Sequence, residues 1–151
     1  MATGGSASPD AVSRIRKGEG DFEKVDEING IKVIKHKTSK NAKMPRVAGK
    51  SETYIVVNKD GEICYITKYD SHGLVREIDL NDGPIHAHTW HTVVTDNGTN
   101  IERVGKVRHE KLTKAEKADV NKILTEVVNN ANSRFRLAEG LARRHGRWKF
   151  L

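Results

Sequence analysis

Three observations predict an α+β fold. Short runs of β-branched and aromatic residues recur through the middle of the chain, separated by Asp-Gly, Gly and Pro turns. The hydrophobic period then lengthens from two residues to about 3.6 near Thr113. A length of 151 residues suits one domain with a modest core. Strands followed by helices, not alternating with them, favour α+β over α/β. The expected architecture is a curved antiparallel meander of five to six strands over 54–107, followed by helices over 113–131 and 133–145.

Residues 1–10 are Gly, Ser, Ala and Thr-rich and read as a flexible leader before a single domain over 11–151. The stretch 11–28 reads as a short helix broken at Gly18 and Gly20, and 31–34 after Gly30 reads as a strand. Residues 38–50 have Ser, Asn, Pro and Gly and no period, so they read as a long loop of the kind that often carries function. Strands follow over 54–57, 63–69, 74–80, 85–94 and 101–107, with Asp60-Gly61 as a hairpin signal. Thr113 and Glu116 have the spacing of a capping box. Val120, Ile123, Leu124, Val127, Val128 and Ala131 then share one helical face. The second helix would turn Phe135, Ala138, Leu141 and Ala142 inward, and Trp148, Phe150 and Leu151 would dock on the sheet.

The charge is +7, from 27 Lys+Arg against 20 Asp+Glu. Seven of the basic residues lie between Ile31 and Lys50, where there is no acid: Lys32, Lys35, Lys37, Lys40, Lys43, Arg46 and Lys50. Arg134, Arg136, Arg143, Arg144, Arg147 and Lys149 form a second block against one acid, Glu139. Clustered cations favour a polyanion such as nucleic acid, although two solvated faces would have the same composition. Lys40, Lys43, Arg46, Lys50, Arg143, Arg144 and Arg147 are the candidate phosphate contacts. No apolar run is long enough to span a membrane, and no signal-peptide pattern opens the chain. Cys64, the single cysteine, excludes an internal disulfide and cysteine-rich zinc patterns. Triphosphate-binding Gly-rich loops, Gly-x-Ser-x-Gly and Cys-x-x-Cys are absent.

Four of the seven histidines fall between His86 and His109. His86 and His88 lie two apart on an expected strand and so share a face, with His91 on the other. Three readings fit this pair. As acid–base groups, they would serve an RNA substrate that supplies its own 2′-hydroxyl nucleophile, so no metal or other cofactor is needed. Arg76, Lys40 or Arg46 would meet the phosphate, Asp79 would orient an imidazole, and His36 would face the same cleft. As metal ligands, they would need His109 or Asp79 to complete a site. As structural groups, they would support the turn beside Pro84. Cys64 reads as a buried small hydrophobe.

The run Ile66-Thr67-Lys68-Tyr69-Asp70-Ser71-His72-Gly73-Leu74-Val75-Arg76-Glu77-Ile78-Asp79-Leu80, followed by Gly83-Pro84-Ile85-His86-Ala87-His88-Thr89-Trp90, resembles a module of bacterial polymorphic toxins and phage head-associated proteins. The shared pattern is Arg/Lys-Tyr-Asp, Gly, Asp-Ile-Asp, then His-x-His-x-Trp, with Glu77 standing at the first acid here. The module is similar to the barnase–EndoU–RelE nuclease group. The resemblance implies a curved antiparallel sheet and metal-independent RNA cleavage to a 2′,3′-cyclic phosphate, with His86, His88 and Asp79 at the site. It also implies an immunity protein or phage head proteins as partners, and a place in the cytoplasm of a target or host cell or in the virion. The expected function is therefore an RNA endonuclease-like toxin or phage-associated nuclease domain. A non-catalytic nucleic-acid-binding or phage structural protein, and a metal-dependent hydrolase using His-x-His, are the alternatives.

Overall fold

Asn29 and Gly30 both take positive φ, 51° and 76°, and turn the chain between two antiparallel strands, β1 (Phe22–Ile28) and β2 (Ile31–His36). This computed structural model describes residues 20–44, 51–71, 73–96, 98–103, 109–130, 134–141, 143–144 and 147–151. The segment 22–28, expected as the end of a helix, is a strand. Asn-Gly is the strongest two-residue hairpin signal, and it outweighs the weak helical pattern before it. Residues 11–19 of that expected helix lie outside the described residues.

The meander follows in sequence order: β3 (Glu52–Val57), β4 (Glu62–Asp70), β5 (Gly73–Asp79), β6 (His86–Thr95) and β7 (Gly98–Arg103). Each neighbour is antiparallel except β2 and β3, which run parallel, so the sheet is mixed. Parallel pairing needs a long crossover, and the loop after β2 supplies it. At the β3–β4 turn, Asn58 Oδ1 accepts from the Asp60 and Glu62 N–H groups while Gly61 takes a φ of 81°.

Helix α1 (Lys114–Asn129) opens on the expected capping box. Thr113 Oγ1 accepts from Glu116 N at 3.1 Å, and Glu116 Oε1 accepts from Thr113 N at 2.9 Å. Its buried Val120, Ile123, Leu124 and Val127 cover Val33, Ile55, Val57, Ile66 and Ile78 on one face of the sheet. Val128, expected on that face, is exposed. The opposite face is covered by the loop after β2, whose Ala42 and Met44 pack with Ile34, Tyr54, Tyr65, Tyr69 and Trp90. The sheet thus lies between a helix and a loop. No described helix is long and apolar enough to cross a membrane.

The expected second helix is not present among the described residues. Residues 136–137 form β8, parallel to the start of β4, and 143–144 and 147–148 pair as β9 and β10. Phe135, Ala138 and Leu141 are buried as expected, but the segment between them is tied to distant parts of the chain by its backbone. Arg136 N donates to Gly61 O, and Gly83 N donates to Gly140 O at 2.7 Å. Helical spacing of three apolar residues is met here by an extended strap, and Gly140 inside it disfavours a helix. The C-terminal strand does dock: Ile85 N donates to Lys149 O, Leu151 N donates to Ile85 O, and Trp148 and Phe150 pack on the helix-side core.

A Cβ at Gly140 would lie 2.5 Å from Asn81 O, a backbone atom that cannot turn aside. Gly140→Ala should therefore destabilise the protein by about 1–3 kcal/mol in urea unfolding. An unchanged midpoint would show that the strap does not press on the 81–83 turn.

Candidate functional site

Strand alternation decides which candidate residues can meet. On β5 and β6 the register pairs are Arg76 with Thr89, Glu77 with His88, Ile78 with Ala87 and Asp79 with His86. Ile78 and Ala87 belong to the core under α1. Glu77, Asp79, His86 and His88 therefore face the other way, toward the loop side. Each histidine has an acid directly across from it. Both imidazoles are buried, at 4% and 6% exposure.

A third imidazole joins them from a distant part of the chain. Ala87 and Glu110 exchange two backbone hydrogen bonds of 2.9 Å, which fix the 109–110 segment along β6. Glu110 points to the helix side, where its carboxylate accepts from Thr89 N at 2.8 Å and from Thr89 Oγ1. His109, the neighbouring residue, stacks on His86 with ring centroids 3.9 Å apart and meets His88 edge-on at 5.4 Å. His86 and His88 are themselves 5.0 Å apart and nearly perpendicular. One ring nitrogen from each of the three lies within 4.8 Å of the others. His109 is exposed and opens the cluster to solvent.

His86 is held at both ring nitrogens. Nδ1 lies 2.8 Å from the Pro84 carbonyl oxygen, which only accepts, so Nδ1 carries the hydrogen. Nε2 faces Asp79 Oδ2 at 3.6 Å. Asp79 is fixed in turn, because its Oδ1 accepts from Asn81 N and Asp82 N at 2.9 and 3.2 Å. The expected orientation of an imidazole by Asp79 thus has a geometric counterpart at His86.

Arg76 does not join the histidines. It lies on the helix side, where Nη2 and Nε donate to Glu116 at 2.8 and 3.0 Å and Nη1 donates to Thr89 Oγ1 at 2.7 Å. It also lies 3.4 Å from Glu110. Its guanidinium ties the helix start to the bridge that carries His109, so it positions the site and does not reach into it. His36 is also elsewhere. It sits four strands from β6, where Nδ1 accepts from Thr38 N and Ser39 N and its ring meets Phe22 edge-on.

Part of the basic loop shares the histidine face. Lys40 and Lys43 border a depression of about 400 Å³ together with Asn41, Asn58, Tyr65 and Asn81. Tyr65 stands opposite Asp79, which stands opposite His86, so the depression and the histidines are about 10 Å apart across two strand spacings. Lys32, from the same basic block, pairs with Glu52 instead. Arg46 and Lys50 lie outside the described residues. Arg143 and Arg144 form β9, with the exposed Arg147 in register with Arg144. Cys64 is buried, and burial followed by nearby Glu62 pushes its thiol up to about 12, which removes it as a nucleophile.

No family model, curated protein or solved structure matches the chain.

The Arg76–Glu116 pair carries a pH signature. Burial alone raises the Glu116 carboxyl, but hydrogen bonds from Arg76 and Thr113 and the charges of Arg76 and Lys68 hold it below its ordinary value. A carboxyl held low in the folded state stabilises above its unfolded value, near 4.3, and that stabilisation fades as pH falls through the folded value. Arg76→Met should cost about 2–4 kcal/mol at pH 7 in urea unfolding, because Glu116 is left buried and charged. The deficit should shrink below about pH 4 as Glu116 takes a proton. An equal deficit at pH 7 and pH 3 would contradict this role.

Proposed function

We propose that this protein cleaves phosphodiester bonds in nucleic acid, RNA favoured, at the His86–His88–His109 cluster. The observation that carries the proposal is the shared face: three imidazoles, one of them exposed, lie about 10 Å across the sheet from the depression bordered by Lys40 and Lys43. The lysines attract the phosphate backbone, and the imidazoles supply the reactive groups next to it. The resemblance of 66–90 to toxin and phage-associated nuclease modules supports nucleic-acid cleavage and the preference for RNA, while the cyclic-phosphate route it implies is the competing mechanism. In that setting an immunity protein or phage head proteins would be its partners, in a host or target cytoplasm or in the virion.

The ring spacing favours hydrolysis over transesterification. Two imidazoles that pass protons across a phosphate each need hydrogen-bond reach to an oxygen on opposite sides of phosphorus, which sets their nitrogens about 7 Å apart. Here all three ligand nitrogens lie within 4.8 Å, and two rings are stacked. In hydrolysis, water adds across the P–O bond, and one fragment leaves with a phosphate monoester and the other with a hydroxyl.

The test offers the full chain RNA and DNA of one sequence and maps the fragment ends. Cleavage giving monoester and hydroxyl ends is expected, with losses of about 100-fold or more in His86→Ala and His88→Ala. Ends carrying 2′,3′-cyclic phosphate would contradict hydrolysis. Salt-dependent binding with no cleavage of either polymer would overturn the enzymatic reading and leave a nucleic-acid-binding protein.

A further inference from the structure

We infer that His86, His88 and His109 form a binding site for one borderline divalent metal ion, zinc by preference, with Asp79 supplying the adjacent negative charge. The inference rests on the proposed function only for what the ion would do to a substrate. The binding stands on the geometry of the cluster.

The first argument is chemical. With its hydrogen on Nδ1, directed at the Pro84 carbonyl, a neutral His86 presents a lone pair at Nε2. That lone pair faces the Asp79 Oδ2 carboxylate oxygen at 3.6 Å. At 3.6 Å the pair is too far apart for a direct hydrogen bond, and a cation held by the imidazoles would satisfy both donors. Asp79 lies outside the three-imidazole group, so its carboxylate is the neighbouring charge.

The second argument is the donor set. Three imidazole nitrogens suit zinc and its first-row neighbours and are poor ligands for magnesium or calcium. The bond from His86 Nδ1 to a backbone carbonyl is the outer contact that metal-bound histidines usually make, because it fixes the tautomer and the ring. A two-histidine strand pair is a weak pattern alone. Here the Ala87–Glu110 bridge brings the third imidazole to it from 21 residues further along the chain. The site is not fully contracted, since its nitrogens span up to 4.8 Å. Ligation requires about 1–1.5 Å of approach among the rings, and the exposed His109 has the freedom to supply part of it.

The experiment titrates the untagged, metal-stripped full chain with Co²⁺ and then displaces it with Zn²⁺. One Co²⁺ per chain is expected, with the strong visible absorption of a tetrahedral site, and Zn²⁺ should remove it. His109→Ala should weaken binding about 100-fold or more, and Asp79→Asn about 10-fold or more. His91→Ala, on the same strand and exposed, should leave it unchanged. Affinity should fall as pH is lowered, because protons and the metal compete for the same nitrogens. Far-ultraviolet circular dichroism shows whether each variant is folded. Binding weaker than millimolar at pH 7.5, or equal binding in folded His109→Ala, would overturn the site. Metal binding without cleavage of RNA or DNA would sink the nuclease reading and leave the site standing. Cleavage undiminished in metal-stripped protein would leave the nuclease reading standing and take the ion out of the reaction.

Discussion

Two hydrogen bonds of 2.9 Å between Ala87 and Glu110 hold this arrangement together. They extend the sheet along the first half of β6, where β7 does not reach, because β7 pairs only from Trp90 onward. The bridge sorts its neighbours by alternation. Glu110 is sent to the helix side and meets Arg76 and Thr89. His109 is brought to the loop side and meets His86 and His88. A polar lock on one face therefore sets the position of a reactive cluster on the other. Arg76 closes the lock by joining Glu110 to Glu116 at the first turn of α1. Glu116 serves the helix cap with the same carboxylate. Capping, helix docking and histidine placement thus depend on one network of charged hydrogen bonds.

The rest of the fold gives that network its two environments. On the helix side, apolar residues of β3 to β6 and α1 form a continuous core that shields the Arg76 pair. On the loop side, aromatic residues and the buried Ala42 and Met44 anchor the basic loop against the sheet. This anchoring brings Lys40 and Lys43 near the Tyr65–Asp79–His86 row. A +7 charge spread over the surface would not have that consequence. Within 31–50 the lysines have different fates, since Lys32 is paired with Glu52 while Lys40 and Lys43 border the depression.

Local signals in the sequence were legible where the physics is local. The Thr113–Glu116 capping box, the Asp60-Gly61 turn and the strand-forming runs 54–57 and 74–80 all correspond to elements, because a few neighbouring residues decide them. Asn29-Gly30 carried an equally local hairpin signal, and it makes 22–28 a strand. The stretch after 133 was not legible. Its apolar spacing fits a helix, but Arg136 N donates to Gly61 O and Gly140 O accepts from Gly83 N, partners that are distant in sequence. At the site, Asp79 was expected to orient an imidazole, and the strand register sets it opposite His86. Alternation also separates Arg76 from Asp79, three residues apart on one strand and hence on opposite faces. The arrival of His109 depends on a long-range bridge that no spacing rule encodes.

The convergence of three imidazoles on one point is the central claim, and X-ray absorption at the zinc edge of the zinc-loaded full chain tests it most directly. The geometry predicts three imidazole nitrogens at about 2.0–2.1 Å, with the remaining scatterer an oxygen. One imidazole or none in the first coordination shell, with oxygens in their place, would contradict it.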